Sequence, residues 1–232
     1  MFMKKILFIV SVLLAGGLAG CSENEIELYN QEVCLNFANP GWSTEFSDAD
    51  YANGVTTKEA PVTVELQGNL LTAPRTFCLK NQEAEGYKET VTADFANPYT
   101  YENLEGVTQK LTVQVHRPKR PTDGIGNRAC ACQVVFDYAN AQHQFPEGRV
   151  DKAMVNIVVS FKIKPTEWDD AGSMYGAFSI NKYLFMMDTL KKTYADVAYD
   201  DASLEQVKKA YEEYLKTNPP LLDDKGQEIT FP

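Results

Sequence analysis

Residues 155–163 set Ile157, Val159, Phe161 and Ile163 against Val158, Ser160 and Lys162, and a period of two belongs to a strand with one buried face. Val33, Leu35 and Phe37 repeat the pattern, as do Val62, Val64 and Leu66. Further strands are predicted over residues 75–80, 111–115 and 130–138. Asn39-Pro40-Gly41, Asn53-Gly54 and residues 123–127 supply turns, while Pro118, Pro121 and Pro165 close strands. No helical period intervenes before residue 165. Short strands joined by turns pair with their neighbours, which predicts a mainly β protein built on an antiparallel sandwich over residues 30–165.

Beyond Trp168 the period changes. Ser179 is placed to cap a helix whose Tyr183, Met186, Met187, Leu190, Tyr194 and Val197 recur every three or four residues. A second helix is predicted from a Ser203/Gln206 capping box, with Leu204, Val207, Tyr211, Tyr214 and Leu215 on one face and Asn218-Pro219-Pro220 at its end. After the Asp224-Lys225-Gly226 turn, residues 228–231 read as a short final strand returning to the sheet or packing on the helices. Residues 166–232 therefore form a helical C-terminal extension of the sandwich.

Charge narrows the function classes. The chain carries 32 acidic against 22 basic residues, a formal charge of −10, and such a surface repels nucleic acid. With only two histidines, His116 and His143, multi-histidine zinc chemistry has too few ligands. Any catalysis would rest mainly on carboxylates.

The amino-terminal residues give an address. Lys4 and Lys5 precede an apolar run over residues 6–14 and then small residues, the order of a secretory signal. The run is shorter than the ~20 residues that cross a bilayer. At its end Leu18-Ala19-Gly20-Cys21 resembles the lipobox of bacterial lipoproteins, which implies a signal over residues 1–20, lipid on Cys21, and a tether over residues 21–29. Several acyl chains hold a protein on a membrane where one does not. The residues after Cys21 resemble the acidic export signal that sends Bacteroidetes lipoproteins to the cell surface, with Asn24 interrupting the acidic run.

Candidate chemistry is sparse. Cys34, Cys78, Cys130 and Cys132 remain besides Cys21. Cys130 and Cys132 point to one face of their strand as buried thiols, while Cys34 and Cys78 are open between a bridge, should their strands neighbour, and free thiols. Asp48, Asp50 and Glu59 sketch a calcium loop, but Asn53 stands where glycine is needed and Ala52 cannot ligate, so a solvated acidic turn and no metal are expected. Glu167-Trp168-Asp169-Asp170 puts carboxylates beside a ring, the ingredients of a sugar cleft or a glycosidase. Trp42 and Trp168 are the candidate ligand-binding rings, with Tyr87, Tyr99 and Tyr101 in loops; no catalytic residue is assigned and no enzyme motif is found.

Taken in order, Leu35-Asn36-Phe37, Val64-Glu65-Leu66-Gln67-Gly68, Arg75-Thr76-Phe77, Thr92-Ala93-Asp94-Phe95, Leu111-Thr112-Val113, Arg117-Pro118, Phe145-Pro146-Glu147-Gly148, Lys164-Pro165-Thr166-Glu167-Trp168, Gly176-Ala177-Phe178-Ser179-Ile180-Asn181-Lys182-Tyr183 and residues 226–232 resemble a family of Bacteroidetes surface lipoproteins carrying a domain of unknown function. The resemblance implies an immunoglobulin-like sandwich similar to calcium-exchanger β domains, without their calcium site. It also implies an outer-membrane accessory partner of SusC/SusD-like TonB-dependent importers, which take up glycan or peptide. No cofactor is implied beyond the covalent lipid. A surface hydrolase acting near Glu167 and a structural spacer are the alternatives.

Overall fold

The computed structural model describes residues 32–122 and 130–232. Cys21, the signal and tether, and the predicted turn over residues 123–127 lie outside the described residues. In chain order the strands are β1 (Cys34–Phe37), β2 (Gly41–Phe46), β3 (Thr57–Gln67), β4 (Arg75–Phe77), β5 (Leu79–Gln82), β6 (Glu89–Thr90), β7 (Ala93–Asp94), β8 (Tyr99–Tyr101), β9 (Thr108–His116), β10 (Cys130–Phe136) and β11 (Met154–Phe161). The helices are α1 (Asp48–Ala52), α2 (Ile180–Leu190), α3 (Tyr194–Val197) and α4 (Asp201–Leu215).

The molecule is mainly β, a sandwich with a helical extension. One sheet runs β1-β3-β9-β7, antiparallel throughout; the other runs β2-β11-β10-β5 with β6 beside β10. Val62, Val64 and Leu66 of the first and Ile157, Val159 and Phe161 of the second are buried in one core. The rings of Phe37 and Phe136 stack between the sheets at 4.3 Å. Asn81 of β5 ties the layers together, donating to the carbonyl of Ala93 in β7 at 2.9 Å and accepting its N–H at 2.8 Å.

Two pairings depart from the antiparallel expectation: β2 with β11, and β6 with β10, are parallel. The Asn39-Pro40-Gly41 turn is the cause of the first. It carries the chain from one sheet to the other instead of closing a hairpin, and Gly41 suits the crossing because a Cβ there would stand 3.1 Å from the carbonyl oxygen of Asn156. The strand predicted over residues 75–80 is likewise divided, β4 pairing β8 and β5 pairing β10. At the break the N–H of Cys78 donates to Nδ1 of His143 at 3.1 Å.

The extension corrects three expectations. Ser179 caps α2 as predicted, accepting from the N–H of Lys182, but the helix stops at Lys191, which takes φ 55. Tyr194 and Val197 belong to α3, opened by a Thr193/Asp196 capping box. The next helix is capped by Asp200, whose carboxylate accepts from the N–H of Ala202 and the hydroxyl of Ser203, so the predicted Ser203/Gln206 box does not form. Residues 228–231 make no strand. A single bridge joins Leu222 and Glu228, and the tail packs on the helices, with Ile229 buried and Phe231 against Phe185 and Tyr211.

Candidate functional site

The two predicted ligand rings have different fates. Trp168 is 5% exposed, stacked on Tyr194 at 4.3 Å and edged by Phe178 and Tyr183. Its Nε1 donates to the carbonyl of Gly176 at 3.0 Å. A ring so enclosed offers no face to a ligand, and the expectation for Trp168 is corrected on that ground: it is core. Trp42 lies on β2, the outer strand of its sheet, half-buried against the core. The structure does not bring the two together in a cleft. Tyr101 is fully buried, and Tyr99 stacks on Phe77.

The carboxylates beside Trp168 are engaged by the backbone. Asp169 accepts from the N–H of Ala171 and Asp170 from that of Phe178, each at 3.0 Å. Glu167 is exposed. Of the acids of the calcium-like segment, Asp48 and Asp50 are not in a solvated turn but in α1, while Glu59 lies exposed on β3. Ser47 and Asp50 form a capping box, and Asp50 pairs with Lys58 at 2.7 Å, which with the Ser47 bonds outweighs burial and lowers its pKa. Asp48 accepts from the hydroxyl of Tyr183 at 2.8 Å. Among the described residues no group of three or more His, Cys, Asp or Glu is placed to hold a metal ion.

The thiols are buried and separate. The sequence leaves a bridge between Cys34 and Cys78 open should their strands neighbour. Among the described residues β1 instead pairs only β3, while Cys78 lies between β4 and β5 beside His143. All four described cysteines are free. Burial pushes Cys132 up to about 12, and burial together with Glu89 pushes Cys130 up to about 11, so neither offers a ready thiolate.

The segments singled out in the sequence meet as structural locks. Lys182, buried in α2, donates through Nζ to the carbonyls of Tyr175 and Ala177 at 3.1 and 2.9 Å and stands over the Phe231 ring. Burial lowers its pKa. Tyr183 reaches across to Asp48 and accepts from the N–H of Tyr194 at 2.8 Å. The extension is further tied to α1 where the hydroxyl of Tyr51 donates to Asp188 at 3.0 Å, beneath the guanidinium of Arg117. On the opposite flank Asn36 of β1 accepts from the N–H of Arg149 at 2.7 Å and donates to Gln67 at 2.9 Å. Gly148 presses so closely on β1 that a Cβ would meet Leu35 O and Asn36 Oδ1, both at 2.5 Å.

Open clefts lie elsewhere among the described residues. One of about 440 Å³ lies between α4 and the tail, bordered by Lys208, Tyr211, Glu212, Glu228 and Phe231. A second, of about 320 Å³, adjoins β6 and the start of β10. A third, of about 290 Å³, sits over Pro74, Arg75 and Gln144. Sequence reasoning singles out no residue of the second cleft for binding, because residues 88–89 meet residue 119 only beyond the β7–β9 ladder, where Glu89 accepts from the N–H of Lys119, and meet Cys130 only through β6, and two-residue strands do not announce themselves. No described helix is long and apolar enough to cross a membrane.

Comparison with known proteins finds no matching family model and no matching curated protein. Among solved structures, one that is similar in part is EndoBT-3987 of Bacteroides thetaiotaomicron in complex with a Man5GlcNAc product. It shares 13% identity and a TM-score of 0.35 over 61% of this chain, which spans 32% of that protein. A likeness of that degree carries no argument about activity.

Proposed function

We propose that this chain is a lipid-anchored outer-membrane surface protein, a non-catalytic accessory subunit that holds glycan or peptide near a SusC/SusD-like importer. The observation that carries the reading is the order at the amino terminus: Lys4-Lys5, the apolar run, then Leu18-Ala19-Gly20-Cys21 with the acidic residues after it. The fold counts against a sugar cleft beside Trp168, where the hydrolase alternative would work. Asp169 and Asp170 spend their carboxylates on backbone N–H groups, and the ring beside them is buried. Anchoring confines the protein to a surface, where weak contacts gain from effective concentration.

Mild detergent extraction followed by affinity purification tests the reading. An importer barrel and its lipoprotein lid should co-purify, and the amino-terminal peptide should carry fatty acid on Cys21. Recovery of the protein alone, or an unacylated terminus, overturns it. So does hydrolysis of a glycan or peptide that Glu167→Gln abolishes.

A further inference from the structure

The cleft between β6 and the start of β10 stands out by charge. Its rim carries Lys88, Lys119 and Arg120, all exposed, in a chain whose acids outnumber its bases by 32 to 22. Elsewhere Lys58, Lys80, Arg149, Lys152, Lys162 and Lys216 each have an acid beside them in an ion pair. None of the three rim cations is in an ion pair among the described residues.

One carboxylate does stand in the cleft, but it is already engaged. Glu89 accepts from the N–H of Lys119 at 3.3 Å and from the Cys130 thiol at 3.8 Å. It fixes the wall, and its charge offsets one of the three cations, so that the described rim stays net positive. The floor is firm, since Thr122 exchanges hydrogen bonds with both the N–H and the carbonyl of Phe161. Cations gathered on a concave, low-dielectric wall focus their field and concentrate anions, and the volume is that of a small-ligand site.

We infer that this cleft binds the acid groups of an anionic glycan, a proposal that rests on the polymer-holding role above and names its ligand class. A bilayer fits less well: three cations fall short of the roughly 4–8 that mark lipid-binding clusters, and the rest of the surface is acidic.

The test uses the full chain in detergent, titrated with polygalacturonate for the carboxylate arm, dextran sulfate for the sulfate arm, and neutral dextran. At least one polyanion should bind, more weakly as salt is raised, while dextran does not. Lys119→Glu/Arg120→Glu should weaken that binding at least about tenfold, and the neutral pair Lys119→Gln/Arg120→Gln less. A control pair at exposed lysines elsewhere, Lys110→Glu/Lys209→Glu, should leave it unchanged. The proposal is overturned if neither polyanion binds, if dextran binds as well, or if the control pair costs as much as the cleft pair. Binding to phosphatidylglycerol vesicles that the cleft pair abolishes, without polyanion binding, would assign the cleft to lipid instead. Failure here with successful co-purification of the importer leaves the accessory role standing and removes only this ligand.

Discussion

Replacing Gly148 with alanine inserts one methyl group where the fold has no room. Its Cβ would lie 2.5 Å from both the Leu35 carbonyl oxygen and Asn36 Oδ1. The first is backbone in β1, held by its ladder to β3, and cannot retreat without unpairing strand residues. The second can swing away only by abandoning the N–H of Arg149. Overpacking costs about 1–3 kcal/mol, and the lost hydrogen bond adds about 0.5–1.5 kcal/mol, so Gly148→Ala should destabilise by roughly 2–4 kcal/mol. Gly226→Ala is the matched control. That glycine has φ +79, and a methyl group added to it would meet nothing within 4 Å, so only the left-handed backbone cost of about 1–2 kcal/mol applies. Urea midpoints of the two variants decide the matter. Because Asn36 supplies one of the two obstructing atoms, Asn36→Ala and Gly148→Ala should combine to less than their sum. A Gly148→Ala protein no less stable than Gly226→Ala would refute the packing argument.

Trp168→Ala should cost about 3–5 kcal/mol, as for other large-to-small core changes, and its urea midpoint should fall further than that of half-buried Trp42→Ala. His143 should make stability pH-dependent. Burial lowers its pKa, and its Nδ1 already accepts from the N–H of Cys78, so the folded chain resists a proton that the unfolded chain takes up near the ordinary value of about 6.5. Stability is therefore full above that value and falls as pH drops through it toward the folded pKa; His143→Gln should flatten the urea midpoint between neutral and mildly acid pH. The four described thiols should ignore a thiol reagent in native protein and react on unfolding. Intact mass without reductant should show no loss of two hydrogens between Cys34 and Cys78.

What can be read in advance depends on how local the deciding interaction is. The alternation in β3 and β11 and the Ser179 cap arise within a few residues, and both stand in the structure as expected. β2 escapes the sequence reading although Trp42, Thr44 and Phe46 alternate, because its parallel partner lies more than a hundred residues away in β11. The division at Cys78 depends on His143, and the end of α2 on one left-handed residue inside an unbroken apolar period. The site is less legible still. Trp168 reads the same in sequence whether its neighbours are water or Tyr194, and the cations near residues 88 and 119 become one rim only when β7 pairs with β9 and Glu89 accepts from the N–H of Lys119.

The early crossing of the chain between layers has a mechanical consequence. A force applied at residue 32 and directed along β1 loads its antiparallel ladder to β3 in shear, so the paired residues Cys34–Phe37 must yield together instead of peeling one at a time. Immediately behind them Gly41–Phe46 is fastened to the opposite layer. A pull at this end of the described chain would thus be resisted by both sheets within its first fifteen or so residues.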